Sequence, residues 1–116
     1  GYVPYTAFSA RKSYIEENPD VLISFTKALQ KGMDYVASHS ADEIANVIKP
    51  QFPETELETI TTIVTRYQTQ DTWKEDLIFT EDSFTLLQNI LMEAGELENY
   101  VSYDDLVTKT FAEKAK

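Results

Sequence analysis

The chain has no cysteine. Disulfides, thiolate nucleophiles and thiolate metal sites are therefore excluded. It has a single histidine, His39, so a general base for Ser or Thr is nearly absent as well. The three glycines stand apart at positions 1, 32 and 95, which excludes a glycine loop cradling phosphate. Proline is limited to 4 residues, and the composition is not that of a linker or a disordered tail. No apolar run approaches the roughly 20 residues of a membrane helix. No basic start followed by an apolar stretch marks a secretory leader within these 116 residues. Basic residues number 10 against 20 acidic ones, and no basic cluster is longer than Arg11-Lys12. A net charge of −10 repels phosphate backbones and anionic lipid, so no nucleic-acid partner is expected.

What is present is enough for a core: 42% of residues are apolar, with 7 Tyr, 6 Phe and 1 Trp. The chain length suits one domain. It opens on Tyr2-Val3-Pro4-Tyr5-Thr6-Ala7-Phe8-Ser9-Ala10, rich in aromatic and β-branched residues that favour extended structure. Pro4 cannot donate to a ladder, which suits an edge or a crossing strand. A lone strand cannot satisfy its own backbone, so this one requires a partner. Arg11 to Glu17 reads as a helical turn or two.

From there helix starts are written in capping chemistry. Asn18-Pro19-Asp20 combines a cap, a proline suited to the first helical position and an acid at the positive dipole end. Val21, Leu22, Phe25, Ala28, Leu29, Met33 and Val36 follow at helical spacing, to about His39. Gly32 lies on or beside that face and suggests close packing against a neighbour or, as the lesser alternative, a helix kink. Ser40 and Glu43 form a capping box for a helix that stops at Lys49-Pro50. Thr55 and Glu58 suggest a second box, for a helix to about Gln68. Gln70 to Phe79 is the least periodic stretch and carries Trp73. Thr80 caps a helix that ends at Gly95, placed as the left-handed terminator. Ser102 caps a last helix reaching the Lys-rich end.

None of these segments carries a reactive set. His39 is flanked by Ser38 and Ser40, but sequence neighbours at a helix end seldom point at one another, and a favourable dipole interaction explains the residue. The capping box breaks the helix between His39 and the acids Asp42 and Glu43, so no i, i+4 metal face forms. Asp71, Glu75 and Asp76 lack the glycine and alternating oxygens of a calcium loop. Neither a metal, a cofactor nor a catalytic residue is expected, and the chain reads as a non-enzyme. Trp73, near Tyr67, either packs in a core or stacks on a flat ligand. Tyr2, Tyr5 and Phe8 either line a cleft or pack in a sheet.

One set of segments resembles a known family. Tyr14-Ile15-Glu16-Glu17-Asn18-Pro19-Asp20-Val21 and Phe25-Thr26-Lys27-Ala28-Leu29, preceded by a strand and a basic residue, resemble the late part of bacterial ABC-transporter solute-binding proteins. The subgroup is that of the sulfonate, taurine, nitrate and thiamine-precursor binders. Ser40 to Ala45, the Tyr67 to Trp73 stretch, Phe84 to Leu97 and Tyr103 to Ala112 follow in the same order as in that family. The resemblance implies a mainly α fragment of a two-lobed α/β periplasmic-binding-protein type II fold, with about five helices after one N-terminal strand. Residues 1–10 would form the hinge or crossing strand and 11–116 one helical unit, the C-terminal part of the protein. The function implied is that of a solute-binding subunit delivering a small organic or oxyanion solute to an ABC permease. It would work outside the membrane, lipid-anchored at the extracellular face or in the periplasm, with its export signal upstream of Gly1. Tyr5 and Thr6, from their position on the crossing strand, would be hinge or ligand-binding residues. Cut from its sheet, such a unit would expose an apolar face and self-associate. The alternative is a free-standing helical interaction module that takes a partner peptide.

Overall fold

A computed structural model describes residues 1–116. Helices run over Lys12–Glu17 (α1), Pro19–Ser38 (α2), Ala41–Ile48 (α3), Leu57–Thr69 (α4), Glu81–Glu93 (α5), Tyr103–Leu106 (α6) and Thr110–Ala115 (α7), with a 3-10 turn at Lys49–Gln51 after α3. Contacts divide the chain into two compact units, Gly1–Lys27 with Ile78–Lys116, and Ala28–Leu77. Helix α2 passes from the first to the second at Lys27.

In the 28–77 unit, α3 packs against α4. Ile44 and Ala45 of α3 and Ile60 and Val64 of α4 form the buried centre, and Tyr35, Val36, Ala41 and Ile48 close around it. Full burial of each Ile or Val contributes about 1.5–3 kcal/mol, which makes this small cluster the main stabilising element of the unit. The entry to α3 is the capping box expected from Ser40 and Glu43. The Ser40 backbone N–H donates to Glu43 Oε2 at 2.9 Å, and the Glu43 N–H donates to Ser40 Oγ at 3.2 Å. The exit of α2 is tied to α4, because the Gln68 side-chain amide donates to the carbonyls of Val36 at 3.4 Å and His39 at 3.3 Å. Those carbonyls would otherwise lack a partner at the helix end.

The second expected box does not form. Helix α4 starts at Leu57 after Glu56, without a side-chain cap. The Thr55 N–H instead donates to the Phe52 carbonyl, which spends Thr55 in a turn one residue before the cap position at Glu56.

In the unit of 1–27 and 78–116, Phe84 is the buried centre, flanked edge-on by the rings of Phe79 and Tyr103. The Tyr103 hydroxyl donates to the Phe79 carbonyl. Thr80 caps α5, its hydroxyl accepting from the Ser83 N–H at 3.3 Å. Helix α5 ends as the glycine predicts. Gly95 takes φ +75°, Glu96 N–H reaches back to the Leu91 carbonyl at 2.9 Å, and Gly95 N–H reaches the Met92 carbonyl at 3.1 Å. This six-to-one and five-to-two pair is the Schellman arrangement that a left-handed residue makes possible.

Two expectations need correction. The last helix is not continuous. It breaks after Leu106, where Val107 turns extended (φ −116°, ψ 132°), and resumes at Thr110. The β-branched run Val107-Thr108 lowers helix propensity there, and a four-residue helix gives little cooperative resistance. The strand over 1–10 is likewise not formed. The segment is irregular with a bend at Tyr5, and no backbone–backbone bond engages residues 3–10. A strand is defined by its ladder partner, and every regular element of this chain is a helix.

Candidate functional site

Tyr5 and Thr6 lie in that irregular opening segment. Tyr5 is fully exposed at 100%, and Thr6 is exposed too. No hydrogen bond or ring contact draws either toward another polar group. In this segment Phe8 packs edge-on against Phe25, with centroids 5.2 Å apart.

The concave surface of the chain lies instead in the 28–77 unit. Leu29, Gly32 and Met33 of α2 and Val47 and Ile48 of α3 line an apolar groove of about 470 Å3, completed by Trp73. Trp73 is exposed, at 36%, and meets Tyr67 edge-on at 5.5 Å. It packs against Tyr67 on one side and borders the groove on the other. Gly32 does not pack closely against a neighbour as its position suggested. A Cβ built there would meet nothing within 4 Å, so the space beside this exposed glycine is open.

The loop that carries Trp73 is pinned by a residue the sequence reading missed. Gln30, buried on α2, donates from Nε2 to the Glu75 carbonyl at 2.9 Å and to Asp34 Oδ1 at 3.0 Å. Its Oε1 is buried without a partner. Its one signal in the sequence is the Gln30/Asp34 spacing, a known i, i+4 hydrogen-bonding pair. Asp71, at the start of this loop, adopts φ +56°, a left-handed conformation that Asp tolerates better than most residues.

His39 and Ser38 do approach one another, contrary to expectation, with Nδ1 3.0 Å from Oγ. The pair is nonetheless not a base and a nucleophile. Nδ1 also lies 2.8 Å from the Tyr35 carbonyl, which can only accept, so Nδ1 carries the proton. Ser38 in turn donates to the Asp34 carbonyl at 2.8 Å. The imidazole lies flat on the Tyr35 ring, with centroids 3.6 Å apart, and both side chains serve the end of α2. Glu43 is held below the ordinary carboxyl range, first by the bond from the Ser40 backbone N–H, then by the Ser40 side chain, with His39 adding a small electrostatic contribution. These are helix-capping interactions. No group of three or more His, Cys, Asp or Glu side chains is placed to hold a metal ion, and no helix is long and apolar enough to cross a membrane.

Comparison with known proteins places the chain beside a longer one. It is 40% identical over 114 residues to a Bacillus subtilis (strain 168) protein that bears the name "Putative binding protein YtlA". The match takes in 98% of this chain but 34% of the relative, so the chain spans about one third of the relative's length. No family model matches the chain. No solved structure matches it either.

Proposed function

We propose that this chain is the C-terminal portion of a solute-binding subunit of an ABC importer, in the subgroup that takes sulfonates, nitrate or thiamine-precursor pyrimidines. The observation that carries the reading is the similarity along 98% of the chain to a relative about three times as long that is named as a binding protein. The opening segment supports it. Residues 3–10 make no backbone ladder, and Tyr2, Tyr5 and Phe8 are exposed, as suits a strand whose sheet is supplied elsewhere.

In this reading the whole protein is two lobes that close on a small solute. Binding favours the closed form by the difference in affinity between the two states, and the closed form docks on the permease. Tyr5 and Thr6 are hinge or cleft residues on the crossing strand. The helices of this chain are scaffold behind the cleft. The protein works outside the membrane, at the extracellular face or in the periplasm.

The test is a thermal-shift screen of the full-length protein against sulfonates, nitrate and pyrimidines. One class is expected to raise the melting temperature, because a ligand at 100 times its Kd contributes about 2.7 kcal/mol. Absence of any shift at millimolar concentrations of all three removes the solute assignment. Tyr5→Ala and Thr6→Ala in the same protein are expected to weaken the ligand that responds, and unchanged affinity in both removes these two residues from the site.

A further inference from the structure

A strand over the opening segment would have two unlike faces. Side chains alternate across an extended strand, so Pro4, Thr6 and Phe8 share one face and Val3, Tyr5 and Ala7 the other. Two observations anchor the first set. Phe8 packs edge-on against Phe25 of α2. Pro4 is partly buried, while every other residue of 1–10 is exposed. The two anchors stand four residues apart, and a period of two keeps them on one side. Between them Tyr5 is exposed at 100%.

We propose that in the whole protein residues 3–8 straighten from their bend at Tyr5 into the crossing strand, with Pro4, Thr6 and Phe8 turned toward α2 and Val3, Tyr5 and Ala7 turned away from it. Tyr5 and Thr6 are neighbours, so one straight strand cannot present both to a cleft. Tyr5 is the cleft residue. Its ring offers an apolar face to a flat solute, and its hydroxyl can donate to an oxyanion. Thr6 lies on the helix side and acts on a solute only through the hinge. The cleft itself rests on the solute-binding reading, whereas the facing of the side chains is measured without any solute.

Single cysteines in the whole protein test it. Tyr5→Cys, Thr6→Cys and Ala7→Cys are made one at a time, and the rate of reaction with a small maleimide is read as the excess over the parent protein. Far-UV circular dichroism and the melting temperature check each fold, and Ala7→Cys gives a second reading of the Tyr5 face. The expected pattern is fast, slow, fast, with Thr6→Cys slower by about tenfold or more. Equally fast reaction at all three positions overturns the strand. Slow reaction at all three shows the Tyr5 face covered and overturns the cleft, and a fast Thr6→Cys beside slow neighbours reverses the faces. Whichever of taurine, nitrate and a thiamine-precursor pyrimidine raises the melting temperature should slow Tyr5→Cys and leave Thr6→Cys unchanged. A solute that binds Tyr5→Cys without slowing it removes Tyr5 from the cleft. A failed solute screen leaves the labelling pattern standing, and a failed pattern leaves the screen standing.

Discussion

Gln88 is a polar side chain that replaces a strand partner, and its removal should show how the 96–102 segment is held. The residue is buried on α5. Its amide makes both bonds of a backbone-like pair: Nε2 donates to the Val101 carbonyl at 3.1 Å, and Oε1 accepts from the Val101 N–H at 2.7 Å. Gln88→Leu removes both while filling the site with a side chain of similar reach. Each bond is worth about 0.5–1.5 kcal/mol net, so the loss is about 1–3 kcal/mol. Val101 is 43% exposed. The two bonds are part-buried, so each freed group that stays away from water adds to this cost. The effect should be local. Hydrogen exchange at the Val101 amide is expected to accelerate roughly ten- to hundredfold, whereas amides in the Ile60–Val64 turn of α4 should be unaffected. Gln88→Glu keeps an acceptor for the Val101 N–H but turns the donor into a second acceptor. It should release the Val101 carbonyl and leave the N–H protected. Unchanged exchange at Val101 in Gln88→Leu would falsify the claim that this amide holds the segment.

Three other outcomes follow from particular residues. Gly95→Ala forces a side chain into φ +75° at the end of α5 and should destabilise the chain by about 1–2 kcal/mol, read as a lower melting temperature. Gly32→Ala has open space for its methyl and removes a glycine from a helix interior, so it should stabilise α2 by about 1 kcal/mol. The Glu43 carboxylate is held below its usual range chiefly by the Ser40 N–H. A depressed folded value means that the box contributes fully above the unfolded glutamate pKa and is lost as pH falls through the folded one. Protection of the Ser40 amide should therefore fall on acidification, and Glu43→Gln should remove that pH dependence; equal pH profiles in both proteins would contradict it.

Capping chemistry is local, and it was legible. Pro19, the Ser40–Glu43 box, Thr80 and Gly95 mark true helix boundaries because each acts within one turn of its own backbone. Thr55 and Ser102 carry the same residue types without the bonds. At Thr55 a turn to Phe52 competes for the backbone, and such competition is not visible in residue spacing. Asn18, expected as a cap for α2, turns its amide back to the Tyr14 carbonyl of α1. The two buried glutamines were missed for a related reason. A polar residue in an amphipathic pattern reads as solvated, and only the arrival of a distant carbonyl, Glu75 for Gln30 and Val101 for Gln88, makes burial tolerable. Gly32 carries an ambiguous signal, since close packing and open space both allow the absence of a side chain. The opening segment shows the limit most clearly: its composition favours extension, but a ladder depends on a second strand.

Hydrogen exchange of residues 3–9, compared between the 116-residue chain and the full-length protein, tests the central claim most directly. If this chain is one part of a larger binding protein whose sheet takes up the opening segment, those amides should exchange freely in the chain alone and be strongly protected in the whole protein. Equally fast exchange in both would contradict the claim.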